Sequence, residues 1–98
     1  MVEIVQREKL IRAVDMLKAI AHPVRLSIIE LLAENGEMCV SQIQKGLQIE
    51  QAVISQQLKI LKNKELVSAY KNGKYCYYEL TTPEIEKLLN CVENCQSC

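Results

Sequence analysis

The chain reads as a mainly α-helical fold with one β-hairpin, in the order α-α-α-α-β-β-α: a winged helix-turn-helix. Three observations predict it. Two helical stretches, about 42–47 and 51–64, are separated by a break of three residues. Two strands follow, Leu66–Tyr70 and Tyr75–Leu80, joined by Asn72-Gly73, the strongest short hairpin signal, because both residues tolerate φ > 0 in a type I′ turn. Positive charge gathers in this same region. Residues 45–74 hold six lysines against Glu50 and Glu65, about +4, while residues 1–44 carry about −1 and residues 75–98 about −3, in a chain of formal net charge zero.

Each element has its own sequence reason. Over residues 4–20, Ile4, Ile11, Val14 and Leu17, with Leu10 alongside, make a helical stripe. Pro23 suits the first turn of a second helix, about 24–34, because its missing N–H would be unpaired there anyway. His22, the only histidine, precedes it and reads as a cap rather than a ligand or base. Leu26, Ile28, Ile29, Leu31 and Leu32 give this helix a wide apolar face, and Asn35-Gly36 supplies a left-handed stop. Met38-Cys39-Val40 is short and extended, and Ser41 is the expected cap of the third helix. Ile43 and Leu47 point that helix inward, while Gly46 suggests a close approach or an early stop. In the fourth helix Ile54, Leu58 and Leu61 face the core with Val53 flanking. Thr81-Thr82-Pro83 marks the start of a fifth helix with the stripe Ile85, Leu88, Leu89 and Val92.

Ninety-eight residues, 49% apolar, predict a single globular domain spanning 1–98 with a modest core, one that pairing with a second copy would extend. Glu3, Arg7, Glu8, Lys9 and Arg12 interrupt any apolar run near the N-terminus, which argues against a signal peptide. No stretch approaches the roughly 20 apolar residues of a membrane helix. A soluble, cytoplasmic protein without a membrane partner is expected. Five cysteines in such a chain point to free thiols, metal ligands or a redox pair rather than a disulfide scaffold.

Four segments in order resemble the ArsR/SmtB family of bacterial winged-helix repressors. They are Leu17-Lys18-Ala19-Ile20-Ala21-His22-Pro23-Val24-Arg25-Leu26, Glu37-Met38-Cys39-Val40-Ser41-Gln42-Ile43, Ile54-Ser55-Gln56-Gln57-Leu58-Lys59-Ile60-Leu61 and Gly73-Lys74-Tyr75-Cys76-Tyr77-Tyr78-Glu79-Leu80. The resemblance covers nearly the whole chain. It implies a homodimer joined through the first and last helices, repression by operator binding, and release when an inducer binds.

In such a fold the exposed front of the fourth helix is the DNA-reading surface. Gln51, Ala52, Ser55, Gln56 and Lys59 lie there. Gln can pair bidentately with adenine, and Ser can reach a base or a phosphate. Lys59 and Lys62 suit phosphates, Lys71 and Lys74 suit phosphates or the adjacent minor groove, and Ser41 is a further phosphate candidate. A two-fold dimer sets its recognition helices about 34–36 Å apart and selects an inverted repeat in double-stranded DNA. The alternative for these lysines is plain solvation of helix faces and a hairpin tip. For Gln57 it is a buried or interfacial polar group. Strand alternation turns Tyr75 and Tyr77 to one face and Tyr78 to the other, so at least part of that set is hairpin packing rather than a stacking platform.

The family resemblance implies two metal sites, and neither is intact. Cys39 matches the first position of a Cys-Val-Cys pair at the third helix, but Ser41 and Gln44 stand where further thiols would be. Hydroxyl and amide are poor ligands for soft cations. A zinc site of Asp and His on the last helix is absent, since that helix has neither. Cys91, Cys95 and Cys98 remain. Three thiolates could hold trivalent arsenic or antimony, or part of a site for cadmium, lead or zinc. Leu88, Cys91, Val92 and Cys95 also form a continuous apolar stripe in which thiols simply pack. Cys39 could join as a redox partner, giving a disulfide or persulfide switch, and Cys76 reads as packing.

The expected function is therefore a sequence-specific DNA-binding repressor released by a thiol-reactive inducer. A redox or reactive-sulfur sensor is the first alternative, and a winged helix used only for protein–protein contact the second. No cofactor is needed for the fold. With no nucleophile–base constellation, no phosphate loop and one histidine, the chain is not expected to be an enzyme.

Overall fold

The structure, a computed structural model, describes residues 2–81 and Ile85, with side chains from Arg7 onward. The elements are α1 (Val2–Ile20), α2 (Pro23–Asn35), β1 (Met38–Cys39), α3 (Val40–Leu47), α4 (Gln51–Asn63), β2 (Val67–Asn72) and β3 (Tyr75–Leu80). The strands form one antiparallel sheet in the order β1-β3-β2. Of the expected fifth helix only Ile85 is described; it is helical and fully buried. Leu88, Leu89, Val92, Cys91, Cys95 and Cys98 lie outside the described residues.

The helix ends follow local chemistry. His22 caps α2: its Nδ1 accepts from the Val24 N–H at 3.2 Å, with Pro23 in the first turn. Gly36 (φ 78°) closes α2, its N–H donating to the Leu32 carbonyl. Gln48 (φ 56°) ends α3 by donating to the Gln44 carbonyl, a left-handed stop without glycine. Past α4, Glu65 (φ 61°) donates to the Lys62 carbonyl and Leu66 to the Leu61 carbonyl. That pair of bonds is a Schellman motif, sealed by Leu61 and Leu66, both buried.

Three helices and the root of the hairpin enclose the core. Ile28, Ile29 and Leu32 of α2 meet Ile43 of α3 and Ile54, Leu58 and Leu61 of α4, with Leu66 and Val67 beneath. The side chain of Leu31 lies so near α3 that a Cβ on Gly46 would come 2.9 Å from its Cδ2. Gly46 therefore marks a close approach, one of its two expected meanings.

Two expectations need correction. Ser41 does not cap α3. The helix starts at Val40 and Cys39 is the cap residue, its N–H donating to Gln42 Oε1 at 3.0 Å while its sulfur faces the Gln42 N–H. The arrangement is a capping box with a thiol in place of the hydroxyl. The hairpin turn is also displaced by one residue. Asn72 pairs with Tyr75, which leaves Gly73 and Lys74 as the two turn residues. Gly73 has φ 68° and Lys74 has no positive φ, the pattern of a II′ turn rather than the expected I′. Glycine in first place satisfies II′ by itself, so the strand gains Asn72 and Lys74 becomes part of the tip. The α1 stripe, for its part, is not packed on the other described residues. Leu10, Ile11, Val14 and Leu17 are 41–65% exposed, and α1 is anchored through Met16, Ala19 and Ile20.

Candidate nucleic-acid interface

Helix α4 owes its orientation to period. Ile54, Leu58 and Leu61 at i, i+4, i+7 are fully buried, so the opposite face must look outward. Gln51, Ala52, Ser55, Gln56, Lys59 and Lys62 are all exposed on it. Gln57, at the edge of that face, is half-buried, and its Oε1 has no hydrogen-bond partner among the described residues. Helix α3 packs against α4 across the turn at 48–50, and Ser41 is exposed at its first turn. On the hairpin Lys71 and Lys74 are exposed at the tip, and the Lys74 ammonium lies 5.8 Å from the centre of the Tyr75 ring, a cation–π contact that steadies the tip.

The tyrosines divide by strand alternation. Tyr78 packs against the core, where burial, with Cys76 beside it, pushes its phenol up. Tyr70 and Tyr77 are cross-strand partners with rings stacked at 5.7 Å and 26°. The Tyr70 hydroxyl donates to Glu37 Oε2, and that bond, with some desolvation, pushes the phenol up to about 12. The pairing of Tyr70 with Glu37, 33 residues apart, has no local sequence signal.

Cys39 is buried at the start of α3, and the Ser41 hydroxyl lies 3.2 Å from its sulfur. A hydrogen bond from that hydroxyl favours the thiolate and lowers the thiol below its ordinary value; burial opposes this, and the backbone N–H groups of the first turn add to it. The donor set there does not fit a soft metal, since the neighbours of the single sulfur are a hydroxyl and an amide. Among the described residues no group of three His, Cys, Asp or Glu side chains could hold a metal ion. The capping role of Cys39 was legible in principle, because Cys39-Val40-Ser41-Gln42 has capping-box spacing once a thiol is allowed as the acceptor.

The chain thus carries a helix-turn-helix, α3 and α4, with an exposed polar face on α4, followed by a hairpin with Lys71 and Lys74 exposed at its tip. Residues 22–69 match the family described as "Bacterial regulatory protein, arsR family". The chain is 38% identical over 86 residues to an HTH-type transcriptional regulator of Methanocaldococcus jannaschii, covering 88% of this chain and 97% of that one. The chain belongs to the ArsR family. Like its relatives, this ArsR-family chain is a winged-helix transcriptional regulator and not an enzyme. Its fold matches the transcriptional repressor BigR from Xylella fastidiosa with a TM-score of 0.83 at 30% identity, over 96% of this chain and 95% of that one. It also matches the homodimeric winged helix-turn-helix DNA-binding domain of a possible ArsR-family regulator from Mycobacterium bovis, with a TM-score of 0.79 at 28% identity, over 94% and 84% of the two chains. Among the described residues no helix is long and apolar enough to cross a membrane.

Proposed function

We propose that two copies of this single-domain chain, joined along α1 and the expected last helix, bind an inverted-repeat operator in the cytoplasm and repress transcription until a thiol-reactive inducer releases them. The observation that carries the reading is the outward face of α4, where Gln51, Ala52, Ser55, Gln56, Lys59 and Lys62 stand exposed opposite a fully buried apolar face. Gln51, Ser55 and Gln56 read base edges, and Lys59, Lys62, Lys71, Lys74 and Ser41 hold phosphates. The exposed stripe on α1 supports pairing of two copies, as does the homodimeric state named for the Mycobacterium bovis neighbour. In this reading the inducer is a soft metal or metalloid taken by Cys91, Cys95 and Cys98.

A second reading is favoured by Cys39. Its lowered thiol and hydrogen-bonded sulfur suit redox or reactive-sulfur chemistry better than metal binding. Here Cys39 pairs with a cysteine near the C-terminus, and the two thiols give two electrons and two protons to the oxidant as the disulfide forms.

Fluorescence anisotropy of the reduced protein on its own upstream DNA tests both. The complex is titrated with arsenite, cadmium, zinc, a mild oxidant and a polysulfide. Release by arsenite or cadmium that Cys91→Ser or Cys95→Ser abolishes supports the metal reading. Release only by oxidant or polysulfide, lost in Cys39→Ser, supports the redox reading. Binding that nothing releases rejects both inducers, and absence of salt-dependent binding rejects the repressor itself in favour of a protein–protein module.

A further inference from the structure

In the sheet order β1-β3-β2 the hairpin strand β2 is not a neighbour of β1, yet one side chain joins them. Cys39, Tyr77 and Tyr70 form a single register row across the three strands. Residues of one row share a face, and so do residues two apart. Glu37 immediately precedes β1, and its carboxylate accepts from the Tyr70 hydroxyl. The Tyr70 ring lies over Tyr77, its partner on β3, and its hydroxyl reaches past β3 to donate to Glu37. The same row ends at Cys39, the cap residue of α3. Beside the short β1–β3 ladder, the outer strand β2 is thus fastened, through one ring and one hydrogen bond, to the segment that starts the helix-turn-helix.

The geometry matters because β1 is only two residues long. A two-stranded ribbon is marginal alone and varies widely in twist. Lys71 and Lys74 lie beyond the row, toward the tip. From Tyr70 to Gly73 the lever is about 10 Å at the rise of an extended strand. A rotation of roughly 15° at the row would move the tip by about 3 Å, the length of a hydrogen bond to a phosphate.

We propose that the Tyr70–Glu37 hydrogen bond is a strap that sets the angle of the wing against the helix-turn-helix, which makes Tyr70 and Glu37 positioning residues for contact of Lys71 and Lys74 with DNA phosphates. The proposal rests on the repressor reading above.

The test uses Tyr70→Phe, which keeps the stacked ring and removes the donor, together with Glu37→Ala and Glu37→Gln, the last retaining an oxygen acceptor. Amide hydrogen exchange of the free protein and the salt dependence of binding to its own upstream DNA are measured for each. Tyr70→Phe and Glu37→Ala should speed exchange at Lys71 through Cys76. They should also weaken DNA binding by about three- to tenfold and flatten the slope of log affinity against log salt by about 2 for a dimer losing one phosphate contact per protomer. Glu37→Gln should remain near the wild type. In a chain already carrying Lys71→Ala and Lys74→Ala, Tyr70→Phe should weaken binding no further. An unchanged salt slope in Tyr70→Phe, whatever the exchange does, overturns the strap, and so does a Glu37→Gln that loses as much as Glu37→Ala. If the wild-type chain binds no DNA, the repressor reading fails and the strap with it. If it binds and Tyr70→Phe binds identically, only the strap fails.

Discussion

Helices α1 and α2 are consecutive and carry similar apolar stripes, but their fates are opposite. In α2, Ile28 and Ile29 are fully buried and Leu32 is nearly so. In α1, Leu10 and Ile11 are 65% and 63% exposed, and Val14 and Leu17 nearly half. The difference teaches that a periodic stripe states that a face will be covered and says nothing of what covers it. The stripe of α2 closes the core of its own chain against α3 and α4. The stripe of α1 has no partner among the described residues. Covering what is still exposed of each of its four side chains would gain about 0.5–2 kcal/mol, which the pairing of two copies proposed above would supply.

Removing the buried stripe has the largest effect. Ile28→Ala should lower unfolding free energy by about 2–5 kcal/mol, because the cavity adds to the lost transfer energy. Urea melts at two protein concentrations should show the loss at both, since this side chain belongs to one protomer's core. Should Ile28→Ala fail to fold, Ile28→Val should cost about 0.5–1.5 kcal/mol in the same assay. Ile11→Glu is the counterpart on α1. It should leave the protomer core intact and turn the proposed dimer into monomers in sedimentation velocity. Operator affinity should then fall by about a hundredfold or more, because the two recognition helices are no longer tethered. An Ile11→Glu chain that stays dimeric breaks the comparison, and α1 becomes ordinary surface.

The same contrast marks how far the sequence could be read. The α2 and α4 stripes, the His22 cap, the stop at Gly36 and the presence of a hairpin were all legible, because each rests on local period or on one residue's backbone chemistry. The outward face of α4 followed from the buried one. What escaped was decided by competition or by distance. Ser41 is a better cap by type than Cys39, yet the thiol takes the position and the hydroxyl binds the sulfur instead. Asn72-Gly73 suits one turn, but a single leading glycine suits another, and the II′ alternative shifts the tip by one residue. Tyr70 and Glu37 meet only because β3 lies between them, and no spacing along the chain encodes that.

The junction between the two helices offers a smaller effect. His22 accepts from the Val24 N–H and so fixes where α2 begins relative to α1. His22→Ala should cost about 1 kcal/mol, as loss of an N-cap does, while His22→Asn keeps an acceptor and should retain most of that stability. Calorimetry on a domain of this size should record a fall of roughly 4–8 °C in Tm for the alanine variant. Equal behaviour of the two variants would mean that Pro23, rather than the cap, sets the start of α2.

The smallest effect belongs to the one ion pair found among the described residues, which ties α1 to Lys64, the residue that follows α4. Lys64 Nζ lies 3.3 Å from Asp15 Oδ1, with the two side chains 47% and 55% exposed. Water screens such a pair, and its worth is about 0–1 kcal/mol. Asp15→Asn should therefore change stability by less than about 0.5 kcal/mol at low salt, and the difference should vanish in molar salt, where the Debye length is roughly 3 Å. A larger, salt-sensitive loss would mean that charge holds α1 at its angle. A negligible one leaves Met16, Ala19 and Ile20 as the anchor, so that α1 is fixed by burial at its C-terminal end while the rest of its stripe stays open for the pairing proposed above.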